Sequence, residues 1–507
     1  MDRRTTAIVA GLGIPALTIG TDFTGALMLV LPIEREFAAD ITTTQWVLNI
    51  YALTFAMGMV TAGRLADLFG RRRLLLVGMA VFILGSFGCA AAPSIGWLIT
   101  ARAIQGIGSS IIWPCVLGIA STSVQKEDQG FAIGMIMGCI TIGNVIGPVI
   151  AGFVGGLGEW RLFYAINVIL GVLSLVFVPK AVPADAGERR KEAIDYSGIA
   201  VLSLAILGLL YTLDVGADWG WVSLPTIGLF AAAVILFAAF PLVEGHVADP
   251  LVPPQMRHNG QFLMALAANS LCVPAVFLMF LYVPQYLHKC LGWTVLKSTI
   301  GALPLMVCLA VVSLVSGRLY NRIGPRHLLL SGYCLTALGV VATMLISPEW
   351  GYLGLVPALI LIGIGAALCI GTAGTAAVGA ADPSRASLAG ALSFMAHLAL
   401  GAIGVAGGTA ILFGFSATKL RQGIAALGVS LSPAELLTLN GAAPGAPASR
   451  GIIDRFGGNI ADQIAGVVRD AFVSGLHQAY WLPLVMAVIG IFVALALDDE
   501  KLTQVTA

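Results

Sequence analysis

The chain has 507 residues, of which 58% are hydrophobic and only 10% are charged, with 27 basic and 26 acidic side chains. Soluble domains carry about 25% charged residues. This composition therefore excludes a soluble enzyme, a disordered protein and an ordinary nucleic-acid-binding protein. The formal net charge of +1 gives no indication of a polyanionic partner. The sequence predicts a protein that lies in a lipid bilayer.

Uncharged stretches locate the membrane-spanning helices, because a helix needs about 20 apolar residues to cross the hydrocarbon core. One candidate, 5–33, contains a single charge, Asp22. Thirteen others contain no Asp, Glu, Lys or Arg: 41–63, 74–101, 103–125, 129–158, 162–179, 196–213, 219–243, 258–288, 298–317, 327–348, 350–381, 386–418 and 471–497. The sequence thus predicts an all-α membrane protein with fourteen transmembrane helices and a long outer loop over 419–470.

The orientation follows from the positive charges. The first span is too long for the apolar region of a signal peptide and lacks a cleavage pattern of small residues, so we expect it to be retained as a helix. With the N-terminus inside, the cytoplasmic segments hold seventeen Lys and Arg residues and the short outer loops hold four. Because Lys and Arg concentrate in cytoplasmic loops, we expect a multi-pass protein of the cytoplasmic membrane, a bacterial inner membrane, with both termini inside.

The sequence contains an internal repeat. The loop that begins Gly63-Arg64-Leu65 resembles the loop that begins Gly317-Arg318-Leu319, 254 residues later. The same offset places the first five spans close to spans nine to thirteen. We therefore predict a six-helix half over 1–180, an inserted helix pair with flanking cytoplasmic loops over 181–257, and a second six-helix half over 258–507. Two parallel six-helix halves around a central cavity are the arrangement of major facilitator transporters.

The chain resembles the fourteen-span drug:H+ antiporter branch of the major facilitator superfamily in a cytoplasmic loop motif. Its residues are Gly63, Asp67, Gly70, Arg71, Arg72 and Arg73. The resemblance implies a conformational latch, in which Asp67 pairs with the arginines or with a helix N-terminus across the interface of the two halves. The alternative is an arginine cluster that only fixes the topology. The second copy has Asn321 in place of the acid, which predicts a weaker latch.

Two further motifs carry the resemblance. Span four begins with Arg102 inside the membrane and Gln105 one turn later, and a charged residue at this depth indicates a functional site. Span five resembles the exporter motif of the superfamily through Gly143, Gly147, Pro148 and Gly152. The glycines allow close helix packing, and Pro148 frees a backbone carbonyl and kinks the helix. Shorter motifs that also resemble the family are Ile166-Asn167, Asp195-Tyr196-x-Gly198 and Pro250-Leu251-Val252.

Asp22 is the single acidic residue well inside a span. At about 1.5 Å of rise per residue, Asp22 and Arg102 are expected at similar depth, in direct contact or joined by water. We predict that Asp22 couples transport to protons together with Arg102. A structural ion pair that fixes the first helix to the fourth is the alternative. His397, within an apolar span, is a candidate for a second titrating group.

A transport cavity is expected to be mostly apolar with a few polar groups. The candidate lining residues are Phe23, Trp46, Asn49, Gln105, Trp113, Asn144, Asn269, Gln285, Tyr286, Phe394 and His397. One buried acid and few other charges favour an amphipathic, weakly charged substrate, and Asn49 stands where exporters of cationic drugs often carry Asp.

The function predicted from these residues is proton-coupled export of drug-like small molecules by alternating access. The alternatives are a lipid or cell metabolite as cargo on the same fold, or a membrane sensor that transports nothing. The expected partners are a small-molecule substrate, protons and lipid, with no nucleic acid, and the transporter is expected to act as a monomer. No enzymatic activity, cofactor or metal is expected, because the eight cysteines and six histidines show no ligand spacing and no P-loop is present.

Overall fold

The computed structural model describes residues 3–39, 41–185, 195–220, 223–247, 249–441 and 447–498. Within these ranges the chain is built of α-helices joined by short turns. Fourteen of the helices or helix pairs are long and apolar enough to cross a membrane. This confirms the predicted fold class and the predicted number of spans. Both chain ends and the segment 186–194 lie outside the described residues, so the predicted position of the termini remains a prediction.

The N-terminal half contains six spanning helices and one short helix that follows the first. They are α1 (Arg3–Gly25), the short α2 (Val30–Phe37), α3 (Ile41–Phe69), α4 (Arg71–Ala90), α5 (Ile95–Thr122), α6 (Lys126–Gly156) and α7 (Arg161–Ala181). α1 packs along α6, and α5 packs between α3 and α4. These contacts bring α1, α3, α5 and α7 around one buried region that contains Asp22 and Arg102.

The inserted pair consists of α8 (Tyr196–Trp219) and α9 (Leu224–Glu244). The Oδ1 atom of Asp195 accepts the backbone N–H of Gly198 at 2.7 Å and so caps the N-terminus of α8. The two helices pack against each other, and α8 also contacts α3 and the long helix of the second half. The inserted pair therefore lies at the boundary between the two halves.

The second half contains shorter helices at its start and its end. The short α10 (Pro254–Arg257) leads into this half from the inserted pair. The helices of the half itself are α11 (Gly260–Leu271), α12 (Val273–Leu291), α13 (Val295–Ile300), α14 (Leu303–Ile323), α15 (Pro325–Met344), α16 (Gly351–Gly379), α17 (Ala386–Ala426), α18 (Pro433–Gly441), α19 (Pro447–Ile453), α20 (Gly458–Ala479) and α21 (Trp481–Ala496). The internal repeat is visible in these bounds, because α15 begins and ends 254 residues after α4.

The expected loop over 419–470 is mostly helical where it is described. α17 continues beyond the predicted span to Ala426, and α20 begins at Gly458. The two helices and the short helices between them share a small apolar core that includes Leu420, Leu439 and Ile464. Charged residues mark where a helix leaves the hydrocarbon, which is not where the helix ends, so the predicted connection between the last two spans contains helices of its own. We call the described part of 419–470 the outer cap, a name that follows the predicted orientation.

The two halves meet closely on one membrane face, where α3 ends at Phe69 and α17 begins at Ala386. We call this the latch face. Here α6 packs on α14, and a methyl group on Gly317 would overlap the backbone carbonyl oxygen of Gly130. The guanidinium of Arg318 lies 4.7 Å from the ring centre of Phe131 on the same pair of helices. The structure is therefore in a state in which the halves are closed at the latch face.

Gly317→Val should open this interface, because overpacking against a backbone costs about 1–3 kcal/mol and shifts a two-state equilibrium. We expect a longer distance between spin labels at the exposed latch-face residues Arg73 and Arg322, measured by double electron–electron resonance. Gly379→Val is the matched control, since no atom lies within 4 Å of its Cβ position. An equal distance shift in both variants would contradict this packing.

Candidate functional site

The glycines of span five hold α1 against α6. A methyl group on Gly143 would overlap the carbonyl oxygen of Leu17, and one on Gly147 would overlap that of Thr21. Close backbone contact of this kind requires glycine on the facing helix. Gly152 has no atom within 4 Å of its Cβ position, so it does not belong to this interface. Two of the three predicted motif glycines therefore position the helix that carries Asp22.

Pro148 contributes to the same interface because it lacks a backbone N–H group. A proline has no N–H to donate to the carbonyl four residues earlier, which here belongs to Asn144. That carbonyl oxygen accepts the hydroxyl of Thr24 on α1 at 2.9 Å instead. The backbone group freed by the proline thus forms a hydrogen bond between α6 and α1, two residues from Asp22.

Asp22 is completely buried and its carboxylate is fully engaged. Its Oδ2 atom lies 2.8 Å from Nη1 of Arg102 on α5. Its Oδ1 atom accepts hydrogen bonds from the side-chain amides of Gln105 at 3.0 Å and Asn167 at 2.8 Å. The predicted relationship between Asp22 and Arg102 is thus a direct ion pair, which joins α1, α5 and α7.

Arg102 is also buried, and it keeps other partners besides the acid. Its Nε atom donates to the carbonyl of Val47 on α3 at 2.9 Å, and Nη1 also donates to Oε1 of Gln105 at 2.6 Å. The guanidinium lies 4.2 Å from the ring centre of Tyr51. Protonation of Asp22 would remove the charge that Arg102 faces and leave its contacts with Val47, Gln105 and Tyr51. These contacts matter because an uncompensated charge in this interior is costly.

An aromatic cavity of about 110 Å³ lies between the two halves beside this ion pair. Its larger aromatic and polar lining residues are Phe23, Phe55, Trp113 and Asn144 from the first half and Phe277, Phe280, Phe394 and His397 from the second. The His397 ring stacks on Phe394 at 5.2 Å, and Trp113 packs on Phe394 at 4.5 Å. The lining is suited to a flat apolar molecule.

Three polar atoms in the lining have no hydrogen-bond partner among the described residues. They are Nε1 of Trp113, Oδ1 of Asn144 and Nδ1 of His397. Buried polar atoms are rarely left unsatisfied in folded proteins. A bound molecule with hydrogen-bonding groups of its own would satisfy them, so the cavity is a candidate binding site for an amphipathic ligand.

Six predicted lining residues do not line this cavity. Gln105 belongs to the Asp22 network, and Trp46 packs on Tyr211 of the inserted pair at 5.7 Å. Asn49 is half-buried on α3. Gln285 donates to the carbonyl of its own helix at Leu281, and Tyr286 lines a separate small gap beside α20. The assignment of a residue to a span does not give the direction in which its side chain points, so a lining role for these residues stays a prediction.

Asn269 does not line the cavity either, since its amide donates to the hydroxyl and the carbonyl of Ser393 at 2.9 and 3.2 Å. Asn167 was noted in the sequence without a role, although it donates directly to Asp22. Ser86, which accepts from Nε2 of Gln105 at 2.9 Å, was missed altogether. No spacing rule connects Ser86 to the motif, because the two residues lie on different helices.

The loop motif joins the two halves at the latch face. Asp67 accepts the backbone N–H groups of Ser387 at 3.3 Å and Leu388 at 3.0 Å, which form the N-terminus of α17. The same carboxylate pairs with Arg71 at 2.8 Å, and Arg71 donates to the carbonyl of Pro383 at 2.7 Å. Asp67 therefore makes both of the contacts proposed for it, the arginine and the helix terminus.

The remaining motif residues act within the first half. The backbone N–H groups of Arg72 and Arg73 donate to the carboxylate of Asp185 at 3.0 Å, which caps α4. Gly70 has φ +104°, which favours glycine, and Gly63 has no room for a side chain beside Ala391 of α17. Asn321, the second-copy counterpart of Asp67, has a side chain outside the described set.

Gly147→Val should displace α1 and with it Asp22, because the new side chain meets the backbone of Thr21. We expect a loss of about 1–3 kcal/mol of stability, seen as a lower midpoint of thermal unfolding in detergent. Gly152→Val serves as the matched control and should unfold as the parent does. Equal destabilisation by the two variants would argue against the close α1–α6 contact.

Asp67→Asn should weaken the hold on α17, since asparagine still caps a helix but loses the charge that favours its N-terminus by up to about 2 kcal/mol. Hydrogen–deuterium exchange at the amides of Ser387 and Leu388 should become several-fold faster. Asp185→Asn removes a cap within the first half and should leave these amides unchanged. Slow exchange in the Asp67 variant would be inconsistent with a latch.

Comparison with known proteins identifies the family of the chain. The chain matches the Major Facilitator Superfamily over residues 14–405. It is 30% identical to the tetracenomycin C resistance and export protein of Streptomyces glaucescens, over 92% of this chain and 88% of that one. It is 33% identical to the multidrug resistance protein Stp of Mycobacterium tuberculosis, over 76% of this chain and 71% of that one.

Among solved structures, the chain resembles a bacterial homologue of the human lysosomal transporter Spinster in an inward-facing, unoccupied conformation. The TM-score is 0.58 at 16% identity, with 100% of this chain and 99% of that chain covered. At this identity the likeness concerns the fold. Taken with the fourteen spans and the closed latch face, these matches show that the chain belongs to the Major Facilitator Superfamily, as a multi-pass membrane transporter whose relatives are named for drug and antibiotic resistance.

Proposed function

We propose that this transporter exports amphipathic, drug-like molecules in exchange for protons, with Asp22 as the coupling carboxylate. The observation that carries the proposal is the buried Asp22–Arg102 pair at 2.8 Å, beside a cavity shared by both halves. The halves predicted over 1–180 and 258–507 would rock about the cavity. The predicted pair over 181–257 would accompany this motion.

A short chain of contacts links the cavity to the ion pair. Phe23 lines the cavity next to Asp22, and its ring lies 6.3 Å from that of Tyr51. Tyr51 in turn covers the guanidinium of Arg102 at 4.2 Å, while its hydroxyl bonds to Ser109 at 2.8 Å. A ligand that presses on Phe23 thus acts on the residue that packs over Arg102, and this supports coupling between ligand and proton.

In the proposed cycle a proton binds Asp22 from the outer side and neutralises the acid. Arg102 then loses its ion pair but keeps the carbonyl of Val47 and the side chain of Gln105. The weakened tie between α1 and α5 changes the cavity wall at Phe23 and lowers its affinity for the ligand. When the halves rock, the proton leaves Asp22 to the cytoplasm and the ion pair forms again.

The cavity supports a substrate with aromatic or other flat apolar parts and a few hydrogen-bonding groups. Aromatic walls favour drug-like compounds over sugars. His397 lies in this wall, away from the Asp22 network, so we assign it to ligand contact or to a second proton site there. The relatives named for tetracenomycin C and multidrug resistance support the same substrate class.

We place the latch face in the cytoplasm, with the outer cap outside. The support is the distribution of Lys and Arg, which favours the loops at the latch face. The closed latch face then makes the structure a cytoplasm-closed state of a protein in the bacterial inner membrane. Nothing in the proposed cycle needs a second copy of the chain, so we propose a monomer.

Asp22→Asn should abolish the response of export to a pH gradient in proteoliposomes, because the amide cannot carry the proton. The measurement is efflux of a fluorescent aromatic compound with and without an imposed gradient. Glu435→Gln in the outer cap is the control and should retain the gradient response. Gradient-driven export that survives in the Asp22 variant would falsify the coupling role.

A second variant separates coupling from structure. Asp22→Asn leaves Arg102 buried without its counter-charge, which can cost about 3–5 kcal/mol, so the double variant Asp22→Asn with Arg102→Gln removes both charges. If Asp22 couples protons, the double variant regains thermal stability but not the gradient response. If the ion pair is only structural, the double variant regains both its thermal stability and the gradient response. Export of lipids or metabolites in place of aromatic compounds would support the alternative cargo, and no export at all would support a sensor.

A further inference from the structure

The network around Asp22 is separate from the aromatic cavity that we assign to the ligand. Asp22 and Arg102 are buried and do not belong to the walls of that cavity. The side chains that contact this pair, Gln105, Asn167 and Tyr51, do not line it either. A proton that reaches Asp22 therefore does not have to pass through the space that a ligand would occupy.

α7 connects this network to the membrane face opposite the latch face. The helix begins on that face, at Arg161. At about 1.5 Å of rise per residue, Tyr164 lies about 5 Å and Asn167 about 9 Å from the start of the helix. Residues three apart share one side of a helix, and Asn167 donates to Oδ1 of Asp22 at 2.8 Å. Tyr164 thus lies between that membrane face and the buried acid.

The hydroxyl of Tyr164 is an unused polar group beside the ion pair. Tyr164 is completely buried, and its hydroxyl has no hydrogen-bond partner among the described residues. The ring centre lies 5.8 Å from the guanidinium of Arg102. One turn deeper, Oδ1 of Asn167 also lacks a donor within the described part of the chain. Because buried polar atoms are rarely left unsatisfied, these two atoms indicate a polar route along α7.

An aromatic layer covers this route toward the membrane face. Trp160 and Phe163 pack edge-on against Tyr164, with ring centres at 6.0 and 5.5 Å. The indole N–H of Trp160 donates to the carboxylate of Glu36, which also pairs with Arg161 at 2.6 Å. The Glu36 side chain is 39% exposed. The route from the surface to the buried acid therefore passes a carboxylate, an indole and a phenol.

We propose that Tyr164 relays protons to Asp22, so that protons enter through the first half along α7 while the ligand uses the cavity between the halves. This inference rests on the proposed role of Asp22 as the coupling carboxylate. The hydroxyl oxygen takes a proton from water on the side of Trp160. Its own proton passes to the Asp22 carboxylate through a water molecule that donates to Oδ1 of Asn167. Tyr164 ends neutral, as it began, and Asp22 gains one proton.

Separate routes change how a ligand and a proton exchange. A proton can reach Asp22 while the ligand still fills the cavity, because the two do not compete for one space. The ligand is then released through the contacts that lead from Asp22 to the cavity wall, by way of Phe23 and Tyr51. The loaded transporter is therefore the form that takes up the proton.

The test is the rate at which Asp22 gains a proton in the purified full chain. A laser flash releases protons from a caged acid, and time-resolved infrared spectroscopy follows the carboxyl C=O band that is missing in Asp22→Asn. Tyr164→Phe keeps the ring and removes the hydroxyl. We expect the band to form about a hundredfold more slowly, the lower end of what a positioned proton-transfer group contributes, and to reach the same final intensity. An unchanged rate would overturn the proposal.

Two control variants separate the relay from other effects. Tyr282→Phe removes a hydroxyl that bonds to Thr409 in the second half, and it should keep the parent rate. Ile370→Trp adds bulk to the aromatic cavity from the second half, and it should also keep the parent rate of protonation. A slower rate in Ile370→Trp would place the proton route in the cavity and contradict the inference.

Thermal unfolding shows whether Tyr164 has a purely structural role. Because its hydroxyl has no partner, Tyr164→Phe should unfold at the same temperature as the parent or at a higher one. A lower unfolding temperature together with a reduced final intensity of the Asp22 band would show that the variant disturbs the ion pair, which would count against a relay.

The relay and the coupling role fail in different ways. If the parent shows no Asp22 band at any pH, Asp22 takes up no proton and both proposals fall. If the band forms and Tyr164→Phe matches the parent rate, the relay alone is wrong and Asp22 keeps its coupling role. The infrared measurement needs no transported compound, so it does not depend on the identity of the substrate.

Discussion

The rest of the structure depends on the need to neutralise one acid in the interior of a membrane protein. Asp22 is completely buried, and its carboxylate accepts from three side chains on two other helices, Arg102 and Gln105 of α5 and Asn167 of α7. The close α1–α6 contact follows from the same requirement, because only glycines at Gly143 and Gly147 let α1 lie deep enough to reach α5. Phe23, which lines the aromatic cavity, is the residue that follows Asp22 on the same helix. One buried charge thus fixes the helix packing, the position of the cavity and the place where a proton would act.

The number of spans and the Asp22–Arg102 contact could both be predicted, for different physical reasons. Hydrocarbon excludes charges, so uncharged stretches report the spans directly. Depth along a helix is a simple product of residue count and rise, so two charges at equal depth on neighbouring helices could be paired. The helix contact of Asp67 could be foreseen because a carboxylate favours a helix N-terminus.

Rotation about a helix axis was the information that the sequence lacked. Trp46 and Gln285 are on the expected spans but point elsewhere, and a fourteen-span helix bundle offers several apolar surfaces to each helix. The contact of Gln105 with Asp22 and Arg102 could have been predicted, because Gln105 follows Arg102 by three residues and so shares its helix face. The helices of the outer cap could not be predicted for another reason. Its helices are stabilised by packing on one another around residues such as Leu439, and hydropathy does not register contacts between segments distant in sequence.

The length of α17 has a mechanical consequence. At about 1.5 Å per residue, its 41 residues extend roughly 60 Å, from the turn held by Asp67 to the outer cap. The cap is also tied to α12 through the ammonium of Lys289 and the carbonyl of Gly441 at 2.8 Å. If α17 tilts as a rigid helix about its end at the latch face, the displacement of its other end grows in proportion to the length of the helix. A small change in the hydrogen bonds that hold the start of α17 would therefore produce a large movement of the outer cap.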